Sequence, residues 1–556
     1  MSTRAFSQTH IVSGAPVSWR SLLPWPALVI AAVALAALVP IFFLGLPSGH
    51  DFEFHLNSWL EVAQQWKQGV LYPRWASGAH YGYGEARFIF YPPGSWLLGA
   101  FLGLLLPWPV VPTVYVWIAL VAAGISMFYL ASRFLLRPDA IFASALYAVN
   151  PYHLVIVYWR SAFAELLASC LLPLLLLALL RSEEDHGKSL VPLSLVLAAV
   201  WLANAPAAVM INYSLALLAV VLAIVRRSPR VLVYAGAAVA LAAALAAFYI
   251  LPAAYEQKWV NIGEVLAPGV RPQDNFLFTN TSDADHNRFN LLVSLVAVTE
   301  IAVALILAFT ARQWRKQNRF AWWTLLSWTA ASILLMLSPT FFFWEHLPKL
   351  RFVQLPWRWL LCLSVGLALL TPMGTRRWIS RAAICALMIA VLVGAWLKVQ
   401  PPWWDSAADI VEMHDNLEEG RGYEGTDEYV PTGADAYEVK QDAPEASLQG
   451  GANVRVNVER WQAESKQLLV NVSRPCNLVL HLFNYPAWRV EVNGHPVKTL
   501  SQETTGQMLI PVWPGENRIQ VVFTRTWDRT LGDVVSVIAL TLTGVFAIYF
   551  RRTEPA

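Results

Sequence analysis

Long apolar stretches separated by short polar or basic loops run through the chain from about residue 22 to residue 399, and one more lies near the end. Each stretch is close to the roughly 20 residues that a helix needs to cross the hydrocarbon core of a bilayer. The pattern predicts a polytopic α-helical membrane protein with about twelve transmembrane helices. The predicted spans are 22–46, 111–132, 139–150, 164–180, 189–206, 210–225, 231–252, 290–311, 320–338, 357–375, 380–399 and 532–550.

Basic residues cluster in every second loop, as the positive-inside rule expects of cytoplasmic loops. The clusters are Arg4 and Arg20; Arg133 and Arg137; Arg181 and Lys188; Arg226, Arg227 and Arg230; Arg312, Arg315, Lys316 and Arg319; Arg376, Arg377 and Arg381; and Arg551 and Arg552. With this span order both termini are cytoplasmic and the intervening loops lie outside. We expect the first stretch to be an uncleaved anchor rather than a signal peptide.

One apolar run must be left out of the span list for this alternation to hold. Residues 91–109 open with Pro92-Pro93 and close with Pro107 and Pro109. We therefore predict a re-entrant or interfacial helix here, within a first external loop over 47–110; a short true span is the alternative. The same loop carries apolar residues at helical spacing over 54–69, which predicts a second helix, either lying in the interface or packed against the spans.

The pattern changes after Gln400. Residues 405–445 are acidic and rich in Gly, which predicts a loop-rich stretch. From Asn453 apolar residues alternate with polar ones, as in β-strands, and Asn493-Gly494 is a strong hairpin signal. The sequence thus predicts a transmembrane domain over 1–401, an extracytoplasmic region with a β-sandwich over 402–530, and a final transmembrane helix with a cytoplasmic tail over 531–556.

Composition agrees with a membrane protein and removes several function classes. Of 556 residues, 57% are hydrophobic and only 14% are charged, whereas soluble domains carry about 25% charged residues. The net charge of +3 gives no indication of nucleic-acid binding. The four cysteines are far apart and form no C-x-x-C pair, so neither a thiolate metal site nor a disulfide framework is predicted.

A short charged patch follows the first span and is the main candidate for chemistry. It contains His50, Asp51, Glu53 and His55. Ionisable groups at a membrane edge are costly and usually have a role. In a strand or loop the two carboxylates would point the same way, so one could accept a proton while the other binds a metal or holds an acceptor. The structural alternative is an interfacial cap held by a nearby arginine.

Three further segments place arginines and aromatic residues at the outer ends of spans. The planar guanidinium fork suits phosphate, and aromatic platforms suit sugar rings. Each segment also has a structural interpretation: an aromatic interface belt, a local pair of Arg160 with Glu165, or interface anchoring by Arg358. The candidates in these segments are Arg74, Arg87 and Tyr91; Arg160 and Glu165; and Gln354 and Arg358.

Glu300 stands apart because it falls near the middle of a predicted span. An intramembrane carboxylate is a functional hypothesis by default. We expect instead a neutral side chain hydrogen-bonded between helices, with a partner that the sequence does not identify.

Taken together, these segments resemble the GT-C superfamily of membrane glycosyltransferases. More closely, they resemble the bacterial membrane family labelled 6-pyruvoyl-tetrahydropterin synthase-related, although nothing here resembles a soluble pterin enzyme. The segment from Tyr485 to Gly494 is similar to the end of YfhO-like membrane proteins, which are associated with glycosylation of cell-envelope polymers. The matching motifs are Asp51-x-x-x-His55, Leu71-Tyr-Pro-Arg-Trp75, Tyr83-Gly84, Phe90-Tyr91-Pro92-Pro93, Arg160 with Glu165, Gln354-Leu-Pro-Trp-Arg358 and Gly422 to Pro431.

The resemblance implies a GT-C-like fold and an inverting transfer of sugar from a polyprenyl-phosphate donor to a cell-envelope lipid, glycan or protein on the extracytoplasmic face. It implies that Asp51 is the general base and that Glu53 assists it. Alternatively, Glu53 binds a divalent cation such as Mg or Mn; whether a metal is present is left open, and Asp51, Glu53 and His55 are its candidate ligands. The implied substrate-binding residues are His50, His55, Arg74, Arg87, Tyr91, Arg160, Glu165, Gln354 and Arg358, of which Arg160 and Arg358, with Arg74 or Arg87, would hold the lipid phosphate.

The leading hypothesis is therefore a polyprenyl-phosphate-sugar-dependent glycosyltransferase in the bacterial cytoplasmic membrane, with membrane lipids, the donor and a cell-envelope acceptor as partners. A lipid or polymer transporter and a non-catalytic envelope-assembly subunit are the alternatives. Transporters tend to show repeats, broken helices and intramembrane charges. Here the charges cluster at one face. The discriminating question is whether Asp51, Arg160 and Arg358 converge on one pocket.

Overall fold

The computed structural model describes residues 25–181, 189–450 and 456–552, and the side chains of the last segment up to residue 548. Several predicted features lie outside the described residues: the basic residues Arg4, Arg20 and Lys188, the side chains of Arg551 and Arg552, and the strand position Val454.

Helices make up most of the described chain. They are α1 Trp25–Ala37, α2 Val39–Leu44, α3 Phe52–Lys67, α4 Arg87–Phe90, α5 Pro93–Leu105, α6 Val111–Ala131, α7 Arg137–Ala148, α8 Pro151–Val155, α9 Phe163–Ser169, α10 Leu171–Arg181, α11 Leu190–Ala203, α12 Ala205–Arg226, α13 Arg230–Leu245, α14 Ala247–Glu256, α15 Ala284–Thr310, α16 Trp314–Gln317, α17 Arg319–Leu335, α18 Phe341–His346, α19 Leu360–Gly374, α20 Trp378–Lys398, α21 Ala407–Glu418 and α22 Trp527–Arg552.

Nine helical stretches within the described residues are long and apolar enough to cross a membrane. They are Trp25–Leu44, Trp108–Ala131, Arg137–Arg160, Phe163–Arg181, Ala205–Arg226, Ala284–Gln317, Pro356–Gly374, Trp378–Lys398 and Trp527–Ile548. Two more pass the same test only as bent pairs: α13 with residues 247–259, bent by 78°, and α17 with residues 338–346, bent by 95°. Helix α11 is apolar but shorter. Each of the twelve predicted stretches is mostly helical over its described residues, and the prediction of a polytopic helical protein is confirmed.

The two helices predicted in the first loop are both present. Helix α3 begins at Phe52, and most of its residues are buried, while α5 runs over 13 residues from Pro93. The two helices pack together, and Gly99 permits this because a Cβ there would lie 2.1 Å from the indole ring of Trp59. The Trp59 ring stacks on Tyr115 of α6, with centroids 4.8 Å apart. Aromatic packing thus fixes the first-loop helices against the bundle.

The C-terminal region is a β-sandwich of two antiparallel sheets, with a separate two-stranded ladder of β1 Leu46–Pro47 and β2 Trp404–Asp405. The five-stranded sheet has the order β4-β5-β11-β7-β8 and the four-stranded sheet has the order β3-β6-β10-β9. The strands are β3 Ala446–Leu448, β4 Asn457–Gln462, β5 Ser465–Val472, β6 Cys476–Phe483, β7 Trp488–Val492, β8 His495–Val497, β9 Leu500–Ser501, β10 Gln507–Val512 and β11 Gly515–Phe523.

The hairpin predicted from Asn493-Gly494 joins β7 to β8. Both residues have positive φ, 53° and 79°, which a tight hairpin turn of the I′ type requires. Alternation is also clear along β11, where Ile519, Val521 and Phe523 are buried between exposed neighbours. The predicted β-sandwich is confirmed.

The stretch 405–445 contains a helix that the sequence analysis missed. Helix α21 begins with a capping box, in which the side chains of the N-cap residue Ser406 and of Asp409 in the first turn each accept from the other's backbone N–H. The segment was predicted to be loop-rich because it is acidic and lacks a clear apolar period. The capping box was the available signal, since these two residue types three apart mark a helix start.

The first loop also completes the core of the β-sandwich. Trp75, Tyr83, Ile89 and Phe90 are buried in the same apolar cluster as the inward-facing residues of both sheets. The ring of Trp75 lies 5.6 Å from that of Trp488 at the start of β7. Because one core contains both segments, the sandwich and the first loop hold each other in position.

Lys466 on β5 is a buried amine with an unusual environment. Its Nζ donates to the carbonyl oxygens of Gln462 and Ala463, and it lies 4.6 Å from the centre of the Trp488 ring. Burial lowers the pKa of Lys466 from 10.5 to about 7. Between these two values the folded protein holds the amine neutral while the unfolded chain holds it protonated. Stability from this group therefore rises with pH from about 7 to 10.5.

We expect Lys466→Met to raise the thermal unfolding temperature at pH 7 and to remove part of its rise at alkaline pH. The pKa change limits this contribution to about 5 kcal/mol. Unfolding of both proteins in detergent at pH 6 to 10 measures the effect. Parallel curves for the two proteins would contradict this account, and Lys498→Met, at an exposed lysine after β8, serves as the control.

Candidate active site

The segment Gly49–Asp51 is bound to the segment 159–161 through the backbone. The N–H of Asp51 donates to the carbonyl of Arg160 at 2.8 Å, and the N–H of Gly49 donates to Ser161 Oγ at 3.0 Å. Ser161 adopts a left-handed conformation with φ 51°. Gly49 is required because a Cβ there would lie 2.3 Å from the carbonyl oxygen of Trp159. These contacts place the Asp51 carboxylate beside the Arg160 side chain.

The prediction that Asp51 and Glu53 point the same way is wrong. It assumed a strand or loop, whereas Asp51 occupies the N-cap position of helix α3, without a side-chain capping hydrogen bond, and Glu53 lies in the first turn. Residues two apart on a helix are separated by about 200° around its axis. Glu53 keeps contact with solvent, but part of its carboxylate is desolvated. This partial burial and the nearby carboxylates of Asp405 and Glu424 raise the pKa of Glu53.

Asp51, Arg160, Glu165 and Arg358 form one chain of ionic contacts. Arg160 Nη2 lies 3.3 Å from Asp51 Oδ2, and Arg160 Nη1 lies 2.5 Å from Glu165 Oε2. Arg358 Nε lies 3.1 Å from the same Glu165 oxygen. Arg160 from the loop between the third and fourth predicted spans, Glu165 from the fourth and Arg358 from the tenth thus meet at the start of α3. The residues proposed to hold and activate substrate converge at one end of the bundle.

Two further residues of this cluster were not predicted. The hydroxyl of Tyr152 donates to Glu165 Oε1 at 2.5 Å, and the Arg160 guanidinium lies 5.0 Å from the centre of the Trp357 ring. Neither residue carries a charge, so no ion-pair signal marked it in the sequence. Trp357 does fall inside the quoted Gln354–Arg358 motif. Within that motif, Arg358 Nη1 donates to Gln354 Oε1 at 3.0 Å.

Three of the four charged side chains are buried, and only Asp51 is accessible to solvent. Arg160 and Glu165 are 3% exposed and Arg358 is 10% exposed, whereas the Asp51 side chain is 39% exposed. Two guanidiniums share the single buried carboxylate of Glu165, so one positive charge is balanced only by Asp51. The cluster can therefore present a carboxylate to a hydroxyl group and positive charge to an anion at the same place.

The neighbouring aromatic candidates are arranged around Asp51. The Tyr91 ring lies 4.7 Å from that of Phe54, and the His50 ring packs at 4.7 Å against Phe289. His55 is buried, with its ring 5.3 Å from that of Phe163, and burial lowers its pKa to about 4. His55 is therefore neutral near pH 7 and contributes packing rather than a charge for phosphate.

Arg87 belongs to a different network. Its Nε lies 2.5 Å from Glu85 Oε1, and its Nη1 donates to Ser58 Oγ of α3 at 3.0 Å. Burial would raise the pKa of Glu85, but Arg87 and His80 oppose this and hold it at about 2. Thr426 N–H donates to the same carboxylate at 2.8 Å. The charge of Arg87 is thus neutralised, and the network joins α3 to the segment after Gly422.

Arg74 lies in neither group. It follows the C-terminal end of α3, where Gln65 Nε2 donates to the carbonyl of Trp75 at 2.8 Å. Fourteen helical residues separate Gln65 from Asp51, which is about 21 Å at 1.5 Å per residue. The prediction grouped Arg74 or Arg87 with Arg160 and Arg358; the structure separates both from that cluster.

Asp51, Glu53 and His55 do not converge as metal ligands. Asp51 faces Arg160, Glu53 faces other carboxylates, and His55 Nδ1 lies 3.4 Å from Ser95 Oγ in the apolar core. Across the described ranges, no three His, Cys, Asp or Glu side chains are grouped so that they could hold a metal ion. The three residues therefore do not form a preassembled ligand set, and the Mg or Mn requirement that the resemblance implied stays a prediction.

Glu300 is buried in α15 and meets the start of a short helix. The backbone N–H of Tyr152, in the first turn of α8, donates to Glu300 Oε1 at 3.3 Å. This names the partner that the sequence left open. The Tyr152 hydroxyl in turn donates to Glu165, so Glu300 is connected to the ionic cluster through Tyr152.

Glu165→Gln is expected to destabilise the protein by about 3–5 kcal/mol, because it leaves two buried guanidiniums without a carboxylate between them. The matched control is Glu418→Gln, which removes the partner of Lys67 in an exposed pair at 3.0 Å. An exposed pair contributes about 1 kcal/mol or less. Thermal unfolding in detergent compares the two variants, and equal losses would contradict the assignment of Glu165 as the centre of the cluster.

Several solved structures are similar to this chain at low sequence identity. ArnT from Cupriavidus metallidurans, bound to undecaprenyl phosphate, is 12% identical, with 71% of this chain and 76% of that chain covered and a TM-score of 0.45. Arabinofuranosyltransferase AftD from Mycobacteria is 18% identical, with 70% and 28% covered and a TM-score of 0.42. The Archaeoglobus fulgidus oligosaccharyltransferase in its apo form is 14% identical, with 72% and 56% covered and a TM-score of 0.39.

No curated protein matches the sequence. A family model does match, over residues 88–401, which is more than half of the chain. That range contains Arg160, Glu165, Gln354 and Arg358 and begins just before Tyr91. As its motifs predicted, the chain belongs to the family of membrane proteins described as 6-pyruvoyl-tetrahydropterin synthase related domain.

Proposed function

We propose that this protein is a membrane glycosyltransferase that moves a sugar from a polyprenyl-phosphate donor to a cell-envelope acceptor. The single observation that carries the proposal is the half-exposed Asp51 carboxylate held 3.3 Å from the buried Arg160–Glu165–Arg358 cluster. A transfer of this kind needs a base for an acceptor hydroxyl and cations for a phosphate leaving group. The cluster offers both at one end of a membrane-spanning bundle.

Asp51 is the proposed base. In the reaction, the acceptor hydroxyl oxygen forms a bond to the anomeric carbon of the donor sugar, and its proton passes to the Asp51 carboxylate. The bond from the anomeric carbon to the phosphate oxygen breaks, and the electron pair leaves with the polyprenyl phosphate. Attack from the face opposite the leaving group inverts the anomeric centre. The proton is later lost from Asp51 to solvent.

Arg160 and Arg358 are the proposed stabilisers of the leaving group. Charge develops on the phosphate oxygen as the bond breaks, and fixed guanidiniums in a low-dielectric site stabilise it without reorganising. Glu165 and Tyr152 hold the two arginines in place before substrate arrives. Tyr91 and His50 flank Asp51 and could contact the sugar or the acceptor.

The site would face the extracytoplasmic side of a bacterial cytoplasmic membrane. The basic clusters of the sequence support a cytoplasmic position for the opposite loops, and the first loop and β-sandwich would then lie outside with Asp51. A polyprenyl tail could lie against the apolar helices while its phosphate reaches the cluster. The sandwich, which shares a core with the first loop, would lie beside an incoming acceptor.

Lipid or polymer transport is the second candidate, and the bent helix pairs favour it because broken helices line many transport sites. No residue of the ionic cluster, however, belongs to either bent pair, whose residues lie within 230–259 and 319–346. The charged groups are thus assembled away from the breaks. An activity assay separates the two candidates directly.

Asp51→Asn is expected to lower sugar transfer by at least about 100-fold, the lower end of what a general base contributes. Glu53→Gln is the matched control, two residues away on another face of α3, and should retain most activity. The assay uses liposomes with a panel of radiolabelled polyprenyl-phosphate sugars, and membrane lipid and glycan extracts as acceptors. Parallel reactions with EDTA and with added Mg or Mn measure any cation requirement.

Equal transfer by wild type and Asp51→Asn would remove Asp51 as the base. Equal losses in Asp51→Asn and Glu53→Gln would contradict the separation of the two carboxylates by the helix. Movement of unmodified donor lipid between leaflets, without transfer to any acceptor, would support transport instead.

A further inference from the structure

Arg74 differs from the other buried arginines in its lack of an acidic partner. Every arginine in the described ranges that is fully buried lies within 4.0 Å of a carboxylate: Arg87 with Glu85, Arg160 and Arg358 with Glu165, Arg381 with Asp139 and Arg529 with Glu256. Arg74 is mostly buried and has no such contact within the described part of the chain. Its guanidinium lies 4.4 Å from the centre of the Tyr72 ring.

Two polar groups at this place lack protein partners. Arg74 Nη1 and the Tyr72 hydroxyl are both shielded from solvent, and neither has a hydrogen-bond partner among the described residues. A buried donor left unpaired costs roughly 1–3 kcal/mol, and more when it is charged. An unpaired buried group in a folded protein therefore needs a specific explanation, and a bound ion is one such explanation.

The neighbouring charges do not neutralise Arg74. Arg529 and Arg525 repel it, and Glu256, which attracts it, is already ion-paired with Arg529, as Asp533 is with Arg525. Glu464 accepts from the backbone N–H of Arg74 at 3.4 Å but makes no ion pair with its side chain. Burial lowers the pKa of Arg74. A guanidinium nevertheless stays protonated in proteins, so a positive charge remains here.

The surroundings allow a lipid to approach. Leu71 is 81% exposed, and the Tyr72 ring packs at 5.3 Å against Trp96 of α5 and at 6.0 Å against Phe248 of α14. Apolar and aromatic surface therefore adjoins a cation and a hydroxyl donor. Phosphate oxygens suit this pair, because a guanidinium binds them with charge-assisted hydrogen bonds and a phenol donates one more.

We propose that Arg74 and Tyr72 form a second anion site that binds a phosphate group, about 20 Å from Asp51 along α3. The chemistry is shared by a phospholipid headgroup and by free phosphate. The site is independent of the transfer reaction, because its residues do not contact the Asp51 cluster. A lipid held there would tie the first loop, α14 and the β-sandwich to the membrane surface.

Native mass spectrometry of the full chain in detergent tests this site by counting bound dihexanoyl phosphatidic acid. Arg74→Gln should bind one molecule fewer than wild type, with affinity at that site reduced at least about tenfold. Tyr72→Phe should also weaken the binding of phosphatidic acid at this site, but by less than Arg74→Gln does. Arg271→Gln is the matched control, since Arg271 is paired with Asp274 at 2.8 Å, and should bind like wild type.

Two additional ligands distinguish the source of the phosphate. Dihexanoylglycerol, which lacks phosphate, should show no difference between wild type and Arg74→Gln. Inorganic phosphate that displaces the extra phosphatidic acid at equal concentration would identify free phosphate as the ligand, and failure to displace it would identify the lipid. Equal numbers and affinities of phosphatidic acid in wild type and Arg74→Gln would overturn the proposal.

The unfolding temperature without ligand gives a second test, because it distinguishes a ligand-binding arginine from one that stabilises the fold. Because wild type buries an unpaired cation, Arg74→Met in lipid-free detergent should unfold at the same temperature as wild type or a higher one. Added phosphatidic acid should raise the unfolding temperature of wild type more than that of the variant. A large drop for Arg74→Met without ligand would show that Arg74 acts as a structural residue.

Discussion

The arrangement at the candidate site depends on one buried carboxylate shared by two arginines. Glu165 contacts Arg160 at the end of one span, Arg358 at the start of another and the hydroxyl of Tyr152 in the short helix α8, which precedes Arg160. Buried ionic clusters contribute little net stability, because desolvation offsets most of the attraction. What such a cluster provides is a fixed position for its charges, since removing any member leaves another unpaired. Asp51 is the one member that reaches solvent.

The first loop connects the candidate site to the rest of the molecule. Its N-terminal residues are hydrogen-bonded to residues 159–161, its helix α3 is hydrogen-bonded to Arg87 of the Arg87–Glu85 network, and its later residues enter the core of the β-sandwich. The bundle and the sandwich are thus connected by buried charge on one side and by aromatic packing on the other.

The sequence was sufficient for features that depend on local pattern. Twelve apolar stretches, the alternation along β11 and the Asn493-Gly494 hairpin all follow from residue type and period. The capped helix α21 was missed because its short apolar face is diluted by acidic residues. The direction of Glu53 was wrong because two-residue spacing has opposite meanings in a strand and a helix, and only the fold decides which applies.

The residues of the candidate site were also predicted only in part. Motif residues indicated Asp51, Arg160, Glu165 and Arg358, and they meet in space. Arg74 and Arg87 looked equivalent in sequence, yet Glu85 neutralises Arg87 while Arg74 lies a helix length away. Tyr152 and Trp357 went unnoticed because uncharged residues give no ion-pair signal. Pairing between distant segments is a tertiary property, which periodicity and composition do not contain.

An experimental structure of the protein with a non-transferable polyprenyl-phosphate sugar analogue tests most directly whether Asp51 and the two arginines form one transfer site. We expect the phosphate within hydrogen-bond distance of Arg160 or Arg358, with the Asp51 carboxylate on the opposite face of the anomeric carbon. A sugar phosphate bound only beside Arg74, or elsewhere with Asp51 still closed on Arg160, would contradict this expectation.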